Sequence, residues 1–138
     1  MKEQSFPVPV RDVAEFLDAL DLRTPMELPE PAVVAYHDAC HLAHGQGVRS
    51  APRKLLAQVK GLTLVEIGDP DICCGSAGLY NIEQPDTAHE LGRRKATTIR
   101  ATGATLVASG NIGCITQLEA HLGGLPVQHT IEVLDSAI

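Results

Sequence analysis

The sequence predicts an α/β domain with a Rossmann-like, three-layer fold of about four parallel strands, preceded by one amino-terminal helix. Short, almost wholly apolar runs alternate with segments whose apolar residues recur three and four positions apart. These are the patterns of buried strands and of amphipathic helices. A length of 138 residues, with 44% hydrophobic and 20% charged residues, suits one globular domain.

Residues 1–31 predict a helix followed by a linker. The helix is expected over about 10–22, where apolar side chains recur at helical spacing: Val10, Val13, Phe16, Leu17 and Leu20. Pro25, Pro29 and Pro31 lack the backbone N–H that a helix needs, so they predict a linker. The α/β domain itself is expected to span 32–138.

The segment 32–138 predicts four strands, each followed by a helix. Apolar runs predict strands over 32–36, 62–67, 104–109 and 126–129. Helical periodicity predicts helices over 52–59, 85–102, 112–122 and 131–138, the first three ended by glycines at 61, 103 and 123–124. Strands separated by helices are typical of a parallel sheet that is covered on both faces.

Composition excludes several classes of function. A net charge of −6 and only 3% aromatic residues argue against nucleic-acid binding, which needs a basic face and stacking rings. The run 93–95 of Arg-Arg-Lys is interpreted as a solvated helix face. No apolar run approaches the roughly 20 residues of a membrane span, and the chain begins without the apolar stretch of a signal peptide. The expected compartment is the cytoplasm, with peripheral attachment to the inner face of the membrane left open.

The four cysteines all follow the ends of predicted strands. Cys40 comes after the first strand, Cys73 and Cys74 after the second, and Cys114 after the third. Carboxyl ends of parallel strands share one edge of the sheet, where ligands bind in open α/β folds. We therefore expect these thiols to form a single site. In the cytoplasm such cysteines are reactive or metal-binding more often than disulfide-bonded.

Burial as small hydrophobic residues is the alternative interpretation of these cysteines. Vicinal thiols such as Cys73 and Cys74 cannot both point into one apolar core, but both can face a metal centre. Gly75 lets backbone amides approach sulfur closely. Four thiolates suit either tetrahedral zinc or an iron–sulfur cluster.

Residues around the thiols predict support for such a centre. Asn111 begins the helix that carries Cys114 at its amino end, where the helix dipole and unsatisfied N–H groups favour a thiolate. His37 and His41 flank Cys40, and histidine either ligates a metal or donates a hydrogen bond to a thiolate.

Three motifs resemble those of the cysteine-rich CCG domain family: HDACH at 37–41, CCGSAG at 73–78 and GNIGC at 110–114. The family occurs in subunits of heterodisulfide reductase and of anaerobic glycerol-3-phosphate dehydrogenase, and in lactate-utilisation proteins. The resemblance is strongest to the carboxyl-terminal CCG domain of glycolate oxidase iron–sulfur subunits, and it extends from about residue 10 to residue 138.

The resemblance implies a metal centre and a ligand set. The ligands would be the four cysteines, and the neighbouring residues that support them would be His37, His41, Gly75 and Asn111. The family pattern ends in Cys-x-x-Cys, whereas this chain has Gln117 at the last position. The five-cysteine noncubane cluster of heterodisulfide reductase is therefore not expected. A four-ligand [4Fe–4S] cluster fits the thiol count, with zinc as the alternative.

The resemblance also implies a function and partners. The chain would be the carboxyl-terminal part of a longer iron–sulfur subunit that also carries a ferredoxin-like part. Electrons would pass from an FAD-binding glycolate oxidase subunit toward a quinone-type acceptor. The chain alone is expected to have no glycolate turnover, because it shows no flavin or nicotinamide site. The alternatives are a structural zinc module that docks subunits and a thiol–disulfide redox domain.

Overall fold

A computed structural model describes residues 10–20, 23–39, 47–68, 74–75 and 84–138. Within these ranges, helices and strands alternate as the sequence predicts: α1 (Val13–Ala19), β1 (Glu27–His37), α2 (Ser50–Ala57), β2 (Lys60–Glu66), α3 (Pro85–Arg100), β3 (Leu106–Ser109), α4 (Ile112–Leu122), β4 (Val127–His129) and α5 (Thr130–Ser136). The predicted fold class, an α/β domain preceded by an amino-terminal helix, is confirmed.

The strands form one parallel sheet in the order β2-β1-β3-β4. The chain moves from β1 outward to β2 and then crosses back to place β3 on the other side of β1. The pair β1/β3 is therefore the point where the winding direction reverses, and a crevice for ligands opens at such a point. The register pairs His37 with Ser109 and Ser109 with His129, so these three strands end level with one another.

Helices cover both faces of the sheet and enclose two apolar cores. Ala35 and Val107 lie in the core beneath α3 and α4. Val34 and Tyr36 lie in the core beneath α1, α2 and α5. Because successive strand side chains point to opposite faces, His37 lies on the same face as Ala35, beneath α3 and α4.

β1 is longer than the sequence predicts. It begins at Glu27 rather than at residue 32 and runs through Pro29 and Pro31. Its pairing with β2 shifts register between Glu27 and Ala32, which is where prolines without an N–H can be tolerated in a strand. Similarly, Gly61 lies inside β2 with φ +84° and does not end α2 as expected.

α1 is shorter than predicted, and only part of its apolar pattern faces the protein. Ala14 is buried and Leu17 packs against the core. Val10, Phe16 and Leu20 are exposed. In the described part of the chain, no helix is both long enough and apolar enough to cross a membrane.

Candidate metal centre

Three potential metal ligands converge at the carboxyl edge of the sheet. One ligand atom each from His37, Cys74 and Cys114 lies within 4.8 Å of the other two. The three residues are only 2%, 1% and 5% exposed. They come from the end of β1, the segment after β2 and the first turn of α4. The site therefore lies at the reversal of winding beside β1/β3.

His37 presents a buried nitrogen without a hydrogen bond. Among the described residues, its Nε2 atom has no hydrogen-bond partner. Buried polar side-chain atoms in folded proteins nearly always have one. An imidazole nitrogen in this position is suited to bind a metal ion or to contact a group held by the two thiols.

Cys114 is held by the cap of α4. The side-chain Oδ1 of Asn111 accepts a hydrogen bond from the backbone N–H of Cys114 at 3.1 Å. This is an ordinary N-cap contact, so Asn111 positions Cys114 through its backbone. The contact places the thiol over the amino end of an 11-residue helix, where positive dipole potential favours negative charge.

Cys74 is positioned by the glycine that follows it. Gly75 has φ +93°, and a Cβ atom there would lie 2.5 Å from the carbonyl oxygen of Ala88. Only glycine allows this approach without displacing α3. The same carbonyl accepts a hydrogen bond from Gln117 Nε2 at 3.0 Å. Gly75 thus permits close approach to a helix backbone, and Gln117 bridges α4 to α3.

An ionic cluster stands beside the end of β1. The Arg53 guanidinium donates to both carboxylate oxygens of Asp38, at 2.9 and 2.6 Å. It also donates to both carboxylate oxygens of Glu66, at 2.9 and 3.0 Å. Hydrogen bonds to Asp38 and then Glu66 raise the pKa of Arg53, and the hydrogen bond from Arg53 lowers the pKa of Glu66. The Arg53 guanidinium also lies over the Tyr36 ring, 4.9 Å from its centroid.

A small cavity adjoins His37 and this cluster. Its accessible volume is about 10 Å³, close to what one water molecule requires. The lining residues are Tyr36, His37, Asp38, Glu66, Ile67 and Lys95. Burial raises the pKa of Tyr36, and the negative charge of Asp38 adds to that effect.

Lys95 corrects one expectation from the sequence. The basic run predicts a solvated face for it together with Arg93 and Arg94, but it is only 1% exposed and lines the cavity beside His37. Arg93 does lie at the surface, where it pairs with Glu90 at 2.8 Å. Helical phase could have identified Lys95, because it shares a face of α3 with its buried positions: Ala88, Gly92, Ala96 and Ile99.

Ser109 lies beside the site, although the sequence analysis did not identify it as a candidate. It ends β3 directly opposite His37, and it is fully buried with no hydrogen-bond partner for its Oγ among the described residues. Its position could have identified it, because Ser109 ends a strand at the same edge of the sheet where the cysteines follow the other strands.

The structure describes only part of the predicted ligand set. It brings Cys74 and Cys114 together and adds His37 as a third potential ligand. Cys40, Cys73 and His41 lie outside the described residues, so their participation stays a prediction.

The donors present fit a metal centre. Two sulfur ligands of one tetrahedral metal ion lie about 3.8 Å apart, given metal–sulfur bonds of about 2.3 Å. The observed limit of 4.8 Å is close to that spacing. Thiolate and imidazole donors in a buried site select iron–sulfur clusters or zinc over hard cations such as magnesium.

Relatives of known name share most of this chain. It is 34% identical over 116 residues to the probable glycolate oxidase iron–sulfur subunit of Bacillus subtilis, which covers 83% of this chain and 26% of that protein. It is 37% identical over 134 residues to a subunit of the fumarate reductase (CoM/CoB) of Methanothermobacter marburgensis, with 93% and 27% covered. Lactate utilization protein A of Oceanobacillus iheyensis is 32% identical over 107 residues, with 75% and 44% covered.

The chain thus spans about a quarter of the first two relatives and less than half of the third. A family described as a cysteine-rich domain matches residues 34–119. That match includes the end of β1, all of β2 and β3, most of α4, and the segments that carry all four cysteines. The chain belongs to the cysteine-rich CCG domain family.

Proposed function

We propose that this chain is the electron-transfer domain of an iron–sulfur subunit and that Cys40, Cys73, Cys74 and Cys114 bind its metal centre. The observation that carries the proposal is the buried convergence of Cys74 and Cys114 with His37 at the reversal of strand winding. The relatives support it, because the one from Bacillus subtilis is named as a probable iron–sulfur subunit of glycolate oxidase.

An iron–sulfur cluster supplies reversible one-electron transfer when it is bound, at a potential set by charge, hydrogen bonds and solvent exposure. Residues of this chain bear on the solvent exposure and the charge of such a centre. Burial of Cys74 and Cys114 excludes water from the sulfur ligands. The amino end of α4 adds positive potential, which stabilises the negative charge of thiolates.

The proposed electron path runs through proteins larger than this chain. We place the domain in a subunit of the glycolate oxidase type, which accepts electrons from an FAD-binding subunit and passes them toward a quinone-type acceptor. The names of the relatives support the assignment to a subunit of the glycolate oxidase type. Because this chain spans only about a quarter of them, we expect no glycolate oxidation by the chain alone.

Anaerobic reconstitution with iron and sulfide tests the metal centre. The variants Cys74→Ala and Cys114→Ala should fold, because each removes one buried sulfur, but they should lose most bound iron and the visible absorption of the cluster. Thr116→Ala is the matched control, since Thr116 lies on α4 two residues from Cys114 and its hydroxyl donates a hydrogen bond within the helix, to Ile112 O. It should bind as much iron as the unmodified chain.

The alternatives predict different metal contents. Stoichiometric zinc without sulfide would instead support a subunit-docking module with a structural metal. Neither metal, together with a reversible disulfide, would support a thiol–disulfide redox domain. Either result, or full iron binding by both cysteine variants, would contradict the proposed electron-transfer centre.

A further inference from the structure

We propose that His37 binds the metal directly through Nε2, so that the centre has mixed histidine and cysteine ligation. This inference rests on the proposed function, since it requires a metal centre at this site. It goes further by assigning a ligand that the four-cysteine pattern does not include.

The position of the imidazole supports direct ligation. A ring nitrogen of His37 lies within 4.8 Å of both the Cys74 and the Cys114 sulfur. A nitrogen and a sulfur bound to the same metal lie slightly closer than two sulfurs do, because metal–nitrogen bonds are about 2.0–2.1 Å long. The three donors therefore lie close enough together to hold one metal centre.

The state of Nε2 argues against a role limited to hydrogen bonding. A histidine that merely donated a hydrogen bond to a thiolate would show that contact, but Nε2 has no hydrogen-bond partner among the described residues. It is also excluded from water, because the residue is only 2% exposed. A buried ring nitrogen without a hydrogen bond, close to two thiols, is the arrangement expected of a metal ligand.

The backbone of His37 is held in place by the sheet, which fixes the point from which its ring extends. His37 is the last residue of β1 and pairs in register with Ser109 of β3. Ligands on rigid strands hold metal geometry better than ligands on loops. The adjacent Asp38 is bound by both Nη atoms of Arg53, which restrains the chain on the other side of the ring.

Mixed ligation predicts a measurable redox property. A neutral imidazole at position 37 leaves less negative charge on the metal centre than a thiolate at the same position would, so the reduction potential is higher with histidine there. Conversion of His37 to cysteine should therefore retain the metal and lower the potential. Conversion to glutamine should weaken metal binding and remove the nitrogen ligand.

The test counts nitrogen ligands in the anaerobically reconstituted chain. X-ray absorption at the edge of the bound metal distinguishes nitrogen from sulfur scatterers for iron and zinc alike. Pulsed electron paramagnetic resonance of the reduced cluster detects a coupled ¹⁴N nucleus, which becomes ¹⁵N when the histidines are labelled. His121→Gln is the control, because the two ring nitrogens of His121 contact Gln117 O at 2.9 Å and His89 Nδ1 at 3.2 Å.

The expected result is a nitrogen ligand in the unmodified chain and in the His121→Gln variant, and its loss in His37→Gln and His37→Cys. A metal-loaded, unmodified chain with only sulfur ligands would overturn the inference while leaving the proposed function intact. Nitrogen coupling that survives in His37→Cys would overturn it too. Failure of the unmodified chain to bind any metal would defeat both, and this measurement does not depend on the folding of a variant.

Discussion

Replacement of Arg53 by methionine removes the contact between α2 and the end of β1. Arg53 lies on α2, and its guanidinium binds Asp38 beyond the end of β1 and Glu66 at the end of β2. Methionine keeps much of the aliphatic volume and eliminates the charge. The variant therefore tests how much this ionic cluster contributes to the edge of the sheet that carries the metal site.

The magnitude follows from the exposure of the three side chains. The Asp38 side chain is 6% exposed and that of Arg53 is 24% exposed, so removal of Arg53 leaves a largely buried carboxylate without its cation. Breaking a fully buried pair costs about 3–5 kcal/mol, whereas an exposed pair contributes about 0–1 kcal/mol. The Glu66 side chain is 62% exposed and adds little. We expect Arg53→Met to lower the free energy of unfolding by about 2–3 kcal/mol.

The assay is urea unfolding at neutral pH followed by circular dichroism, with a thermal scan beside it. A loss of this size should lower Tm by about 6–12 °C in a chain of this length. Glu66→Gln is the matched control, because it removes the exposed partner and leaves Arg53 bound to Asp38, so it should cost under about 1 kcal/mol. If Arg53→Met destabilised the chain no more than Glu66→Gln does, the Asp38 contact would not have the importance assigned to it.

Three further predictions concern single residues. Gly75→Ala should destabilise the metal-free chain by about 2 kcal/mol or more in urea unfolding, because φ is +93° and the new Cβ would collide with the α3 backbone; a neutral effect would contradict the close packing. Ser109→Ala should stabilise the metal-free chain by up to about 1–3 kcal/mol, since it removes a buried hydroxyl that has no partner among the described residues. Because Ser109 lies opposite His37, the same variant should retain bound metal less well, as measured by chelator competition. Thr130→Val, which removes a similarly buried hydroxyl on α5, should leave metal retention unchanged. Arg53 lowers the pKa of Glu66 below its ordinary value of 4.5. The stability that this pair contributes is therefore present above pH 4.5 and is lost as pH falls through the lower pKa of the folded state. The difference in unfolding free energy between the unmodified chain and Glu66→Gln should shrink on acidification, and a constant difference would refute the pairing.

The alternation of elements is predictable from sequence because strands and helices of a covered parallel sheet differ in apolar period. The predicted helix over 112–122 coincides with α4. β1 is the exception, because prolines at 29 and 31 are strong signals against a strand. A register shift beside β2 accommodates them, and such a shift is a tertiary feature that no local pattern specifies.

The sequence indicates the edge of the sheet at which Cys74 and Cys114 meet, but not the other residues that lie beside them. Cysteines that follow strands indicate the carboxyl edge, and Cys74 and Cys114 do meet there. The order of strands in the sheet decides which strand ends are neighbours. The order β2-β1-β3-β4 cannot be predicted from any local sequence pattern. That order places the ends of β1 and β3 side by side, which brings His37 opposite Ser109. The prediction that Lys95 is solvated was wrong, because it followed from the run of basic residues and not from the position of Lys95 on the buried face of its helix.

We propose that this edge of the sheet binds an iron–sulfur cluster. Its most direct test is the amount of iron and acid-labile sulfide bound per chain after anaerobic reconstitution and removal of unbound metal. We expect iron and sulfide in equal amounts, both lost together in Cys114→Ala. Bound zinc without sulfide, or no bound metal in the unmodified chain, would contradict it.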